Sequence, residues 1–155
     1  MDLKIKLNKP YKPYLCDYSH RFEIYYGGAG SGKSVFIAQK LILKALTEKR
    51  KALIMRKVGA TLKDSVWQLV LDILVEWGQY GKCKINKSVF TIELPGGSIL
   101  LFKGMDDSEK IKSITGITDI WVEEATEFSE EEKYQLKGAL VDLSERIRRA
   151  ADRIQ

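Results

Sequence analysis

The spacing of apolar residues changes along the chain, and each change marks a different element. Phe22-Glu23-Ile24-Tyr25-Tyr26 is a short, mostly apolar run that predicts a strand. After a glycine-rich stretch, apolar residues from Val35 to Leu43 recur at helical spacing, which predicts a helix from about Lys33 to Glu48. Ala52-Leu53-Ile54-Met55-Arg56 reads as a short buried strand bounded by charges, so the strand–helix–strand unit implies a right-handed parallel crossover. Leu62, Val66, Leu69, Val70, Ile73, Leu74 and Trp77 then repeat every three or four residues, with Thr61 placed to cap the helix and Gly78 to end it.

From Gly81 the period shortens. Residues 85–94 and 98–104 flank Pro95-Gly96-Gly97 and predict a β-hairpin, followed by a polar loop or short helix over 104–113. Ile117-Thr118-Asp119-Ile120-Trp121-Val122 is the next buried strand and carries Glu123-Glu124 at its end. Residues 1–21, with Pro10 and Pro13, show no sustained period and read as an N-terminal arm. In the last stretch, Leu136, Leu140, Leu143, Ile147, Ala150 and Ile154 alternate steps of four and three while Arg146, Arg148, Arg149 and Arg153 lie off that seam, which predicts an amphipathic helix over 134–155. Fewer than four heptads is short for an autonomous coiled coil, so packing onto its own domain is the expected use. The pattern as a whole is α/β, with a mainly parallel central sheet flanked by helices.

Composition narrows the function classes. A chain of 155 residues with 45% hydrophobic content supports one ordinary core. No apolar stretch is long enough to span a bilayer and the start lacks a signal-peptide pattern, so a cytoplasmic protein without a membrane partner is expected. Cys16 and Cys83 are too few for a disulfide framework or zinc site, and the single His20 excludes a multi-histidine metal centre. Charge is uneven: residues 1–60 hold 13 Lys/Arg against 4 Asp/Glu, net +9, and the remainder is net −4. A basic N-terminal half suits a polyanion, although solvated lysine faces are common.

The chemistry concentrates in Gly27-Gly28-Ala29-Gly30-Ser31-Gly32-Lys33-Ser34, which matches G-x-x-x-x-G-K-[ST] between a predicted strand and a predicted helix. Glycines let consecutive N–H groups converge on phosphate oxygens, and the dipole of the following helix, with Val35 in its first turn, adds to that field. Lys33 is placed to reach the β- and γ-phosphates of ATP and Ser34 to ligate Mg2+. All eight positions and both flanks set the motif apart from a glycine-rich turn between core elements. Tyr11, Tyr14 and Phe22, upstream of the loop, are candidates to stack on the base, with plain packing of the arm as the alternative.

Hydrolysis of a nucleoside triphosphate also needs an acid at a strand end for the hydrated metal and a neighbouring carboxylate for the attacking water. Glu123 and Glu124 fit those roles in that order, at the strand end where open α/β sheets place ligands. A rival register makes Asp119 the metal-side acid but leaves Ile120 in the catalytic position. The plain alternative is a solvated pair opening an acidic segment. Arg56 ends the second strand at the same edge, placed to meet the γ-phosphate or a neighbouring subunit, or else to pair with Asp64 or Glu76.

Residues 26–34, 55–66, 102–113 and 114–128 together resemble the ATPase domain of the large terminase subunit of tailed bacteriophages, in its PBSX-like branch, over about residues 8–135. The resemblance implies an additional-strand P-loop NTPase that powers packaging of double-stranded DNA into a capsid in the host cytoplasm. It implies non-specific contact with DNA, a portal protein, a small terminase subunit, and other copies of the chain in a ring. By the same resemblance Lys33 and Ser34 match the phosphate and magnesium residues, Glu123 the metal-side acid, Glu124 the catalytic glutamate, and Arg56 an arginine of conformational importance. Family chains continue through a coupling motif into a nuclease domain, whereas this one stops first. The expected organisation is therefore an arm over 1–21, an ATPase domain over 22–133 and an atypical helix over 134–155, without a nuclease. The alternative functions are a nucleotide-binding remnant or assembly piece with little turnover, and, less well matched to the Glu-Glu pair, a small nucleotide kinase.

Overall fold

The structure is a computed structural model and describes residues 3–107, 111, 113–127 and 129. Its centre is β1 (Lys51–Arg56), whose four inner residues Ala52, Leu53, Ile54 and Met55 are at most 1% exposed. A strand buried on both faces needs cover on both, and the chain supplies it by placing helices on one side and loops on the other. The sheet runs β2 (Lys84–Asn86), β3 (Thr91–Glu93), β4 (Ile99–Gly104), β1, β5 (Asp119–Val122), in that spatial order. Both β4 and β5 run parallel to β1, with Ile54 opposite Phe102 on one side and Trp121 on the other. Consequently the C-terminal ends of the three strands, Arg56, Gly104 and Val122, share one edge.

Alternation divides the core. Ala52, Ile54, Leu100, Phe102, Ile92 and Trp121 face the helices, where they meet Ala38, Ile42, Val66, Trp67, Val70 and Leu74. Leu53 and Met55 point the other way, against Ile111 and Ile117. Helix α1 (Lys33–Thr47) lies within a residue of its expected span. The second helical stretch begins at Gly59, with Val58 as its N-cap in place of the expected Thr61, and is one run in three pieces: α2 (Gly59–Leu62), a π turn (Lys63–Trp67) and α3 (Gln68–Glu76). It stops as expected at Gly78, which takes φ +64° while Gln79 N–H returns to Leu74 O at 2.8 Å.

Two expectations about the sheet are corrected. The sheet is mixed rather than mainly parallel, because the expected hairpin insert is a three-stranded extension of the sheet: β2–β3 and β3–β4 are antiparallel. The expected first hairpin strand, 85–94, is broken by a turn in which the Asn86 side chain accepts N–H bonds from Ser88 and Val89. The Pro95-Gly96-Gly97 turn is present, closed by Leu94 N–H to Ser98 O at 2.8 Å.

The second correction concerns residues 22–26, which belong to no strand of the sheet, so the expected crossover into β1 is not made. Among the described residues no strand pairs with the outer edge of β5, and the segment does not join it. Side chains hold it instead: Glu23 receives the Lys40 ammonium at 2.7 Å and Tyr25 sets its ring edge-on to Phe36, while Phe22, Ile24 and Tyr26 point outward at 71%, 87% and 92% exposure. The amphipathic helix expected over 134–155 lies outside the described residues.

One close approach locks the sheet edge to the start of α2. The Gly59 N–H donates to Asp106 Oδ1 at 3.0 Å, and a Cβ on Gly104 would stand 2.3 Å from Gly59 N and 2.0 Å from Asp106 Oδ1. Gly104→Ala is therefore expected to lower unfolding free energy by about 2–3 kcal/mol through overpacking, read as a fall in the urea midpoint; an unchanged midpoint would show that the contact is not tight.

Candidate functional site

The glycine segment enters α1 at the shared C-terminal edge. Gly32, with φ +79°, is the N-cap of α1, and its carbonyl accepts the Phe36 N–H at 3.0 Å. A side chain there is opposed by strain and by Asn8, whose amide nitrogen lies 2.9 Å from where a Cβ would stand. The Lys33 ammonium folds back over the loop and donates to Gly27 O at 2.6 Å, Gly28 O at 3.0 Å and Ser31 Oγ at 3.1 Å. The same carbonyls gather the cation in a mouth open to solvent, since Gly27, Gly28, Ala29 and Gly30 are exposed.

The partner of this loop arrives from the end of β5. Glu123 N–H donates to Met55 O at 2.8 Å, extending the ladder one residue past the strand and fixing where the side chain emerges. Glu123 is 9% exposed, and its carboxylate accepts the Ser34 hydroxyl at 2.5 Å across 89 positions of sequence. Glu124 then takes φ +51°, a left-handed conformation that costs a residue with a Cβ on the order of 1 kcal/mol or more. That twist turns the chain into the Ala125–Glu127 turn and leaves Glu124 exposed beside the loop's partner acid.

Arg56 ends β1 at the same edge. Its guanidinium donates to Glu127 Oε1 at 3.0 Å and to Ser65 Oγ at 3.0 Å, so its partner is neither Asp64 nor Glu76. The hydrogen bond to Glu127 is the main reason the group is held above its ordinary value, with smaller contributions from the nearby charges of Glu124 and Glu123. Asp119 stands at the opposite end of β5 and binds Lys44 at 2.6 Å, too far along the strand to share an ion with Ser34. Of the aromatic candidates, Tyr11 stacks on Phe36 with centroids 4.6 Å apart, while Tyr14 is 49% and Phe22 71% exposed. Sequence reasoning missed three contacts here: Glu127 on Arg56, Asp106 on Gly59, and the Tyr11 hydroxyl on Ser31 O at 3.1 Å. Each joins residues distant in sequence through a loop, where no periodicity signals the partner.

Among the described residues no group of three or more His, Cys, Asp or Glu is arranged to hold a metal ion. No helix among them is long and apolar enough to cross a membrane.

With this geometry in view, the comparisons with known proteins assign the family. A family model described as "Phage terminase large subunit" matches residues 19–150. The chain is 35% identical over 135 residues to the PBSX phage terminase large subunit of Bacillus subtilis (strain 168), covering 87% of this chain and 31% of that protein. It is 30% identical over 144 residues to the large terminase subunit of Bacillus phage SPP1, covering 84% of this chain and 34% of that protein. The chain belongs to the phage terminase large subunit family, and it spans about a third of the length of these curated relatives.

The left-handed turn at Glu124 makes a measurable prediction. Glu124→Gly is expected to raise unfolding free energy by about 1 kcal/mol by releasing strain, measured by urea denaturation without nucleotide. A loss of stability would show the backbone there to be unstrained.

Proposed function

We propose that the chain is the ATP-hydrolysing P-loop domain, of the additional-strand type, of a DNA-packaging motor. The observation that carries the reading is the meeting of Ser34 and Glu123, which brings the glycine loop and the twin acids to one sheet edge. A hydroxyl and one carboxylate, completed by phosphate oxygens and water, is a donor set that suits magnesium, which is held by few protein ligands. In this reading Ser34 and Glu123 hold the ion, whose charge, when it is bound, offsets that of the triphosphate.

The chain's own residues do the rest. Amides from Gly28 to Val35 and the N-terminal end of α1 cradle the phosphates, and Lys33 exchanges the carbonyls of Gly27 and Gly28 for phosphate oxygens. Glu124 orients a water and accepts its proton as the water oxygen bonds to the γ-phosphorus and the bond to the bridging oxygen breaks, yielding ADP and phosphate. Arg56, released from Glu127, adds positive charge to the γ-phosphoryl group of its own or a neighbouring site. The partners proposed with this reading are double-stranded DNA, contacted without sequence preference, a portal protein, a small terminase subunit and further copies of the chain, in the host cytoplasm.

A nucleotide-binding piece with little turnover is the second reading, favoured by the engagement of Arg56 with Glu127 and Ser65. Phosphate-release assays separate the two. Glu124→Gln is expected to lower turnover by at least about 100-fold, the usual worth of a general base, with ATP affinity retained. Equal rates in wild type and variant would remove Glu124 from the mechanism, and ATP binding without any wild-type turnover would establish the second reading.

A further inference from the structure

We infer that Tyr11, in the arm ahead of the glycine loop, is a positioning residue for the phosphate cradle; the inference rests on the phosphate-loop reading above. Its ring lies on Phe36 at 4.6 Å and 9°, nearly parallel, and its hydroxyl donates to the Ser31 carbonyl at 3.1 Å. Phe36 is 1% exposed in the first turn of α1 and is braced from another side by the Tyr25 ring at 5.2 Å and 74°. One ring of the helix is thus clasped by the arm and by the segment entering the loop.

The arm is fastened independently of that contact. The Gln39 amide on α1 donates to Lys6 O at 3.1 Å, and Tyr11 N–H closes onto Asn8 O at 3.0 Å at the start of the Lys9–Tyr14 turn, where Pro10 restricts the backbone. Asn8 also fills the space that only a glycine at position 32 leaves open. Arm and loop are therefore fitted to one another at both residues of the Ser31–Gly32 peptide.

That peptide is where the hydroxyl acts. In a planar trans peptide the carbonyl oxygen and the amide hydrogen point in opposite directions. Holding Ser31 O toward Tyr11 aims the Gly32 N–H away from the arm, and a loop that binds phosphate depends on such amides being aimed before the ligand arrives. Tyr11 thereby sets the direction of one cradle donor without touching the nucleotide, which separates it from a base-stacking residue.

The test uses the whole chain and three measurements on each variant: Mg-ATP affinity from titration with a fluorescent ATP analogue, kcat at saturation, and melting temperature without nucleotide. Tyr11→Phe keeps the stack and removes the hydroxyl, so Kd is expected to rise about three- to tenfold with kcat unchanged, while the melting temperature falls by no more than the few degrees that one hydrogen bond is worth. Tyr11→Leu, which also removes the stack, is expected to weaken binding further and to lower the melting temperature. A wild-type Kd in Tyr11→Phe would overturn the inference, because the hydroxyl would then have no part in aiming the cradle. A wild type that fails to bind Mg-ATP would overturn the phosphate-loop reading itself, a result visible before any variant is made.

Discussion

The contact on which the rest depends is the one between Ser34 and Glu123. It is possible only because β1 holds two independent registers. Its pairing with β5 sets how far along the edge Glu123 emerges, and its helix-facing side chains Ala52 and Ile54 set where α1 docks. A slip of one residue in β5 would send Glu123 to the opposite face of the sheet. The meeting of two side chains at bonding distance is thus a readout of sheet register and helix packing together.

The edge built this way concentrates backbone and charge that a stability optimum would avoid. Glu124 occupies a left-handed conformation, the Lys33 ammonium is satisfied by carbonyls of its own loop, and Glu123 is a nearly buried acid whose partner is a hydroxyl rather than a cation. A core of aliphatic strands and tryptophans on the helix side carries these costs elsewhere. The arm is part of the same economy, since Tyr11, Tyr25 and Phe36 clamp the entrance to a loop that is otherwise open to solvent.

Much of this was legible in the residues. The helices over 33–47 and 59–76 follow from three-four spacing, and the glycine motif with the helix after it pointed to the candidate loop. The acids 123 and 124 were readable as strand-end residues because β5 is a short apolar run that cannot continue past them. The segment 22–26 misled because an apolar run reports the wish to be covered and not the presence of a neighbour. Its alternate residues Glu23 and Tyr25 did find α1, but Phe22, Ile24 and Tyr26 have no ladder beside β5 among the described residues. The mixed sheet was missed for a related reason, since a hairpin in sequence does not say whether its outer strand extends an existing sheet. Arg56 finding Glu127 was beyond reach, as nothing local couples a strand end to a turn 71 residues later.

A double-mutant cycle on magnesium affinity, measured in the presence of ATP for wild type, Ser34→Ala, Glu123→Gln and the pair, tests most directly whether the hydroxyl and the carboxylate serve one ion. Shared duty predicts that the two losses are not additive, with a coupling energy of about 1 kcal/mol or more. Losses that simply add, within about 0.5 kcal/mol, would mean that Ser34 and Glu123 act on different things, and the glycine loop and the twin acids would not form one site.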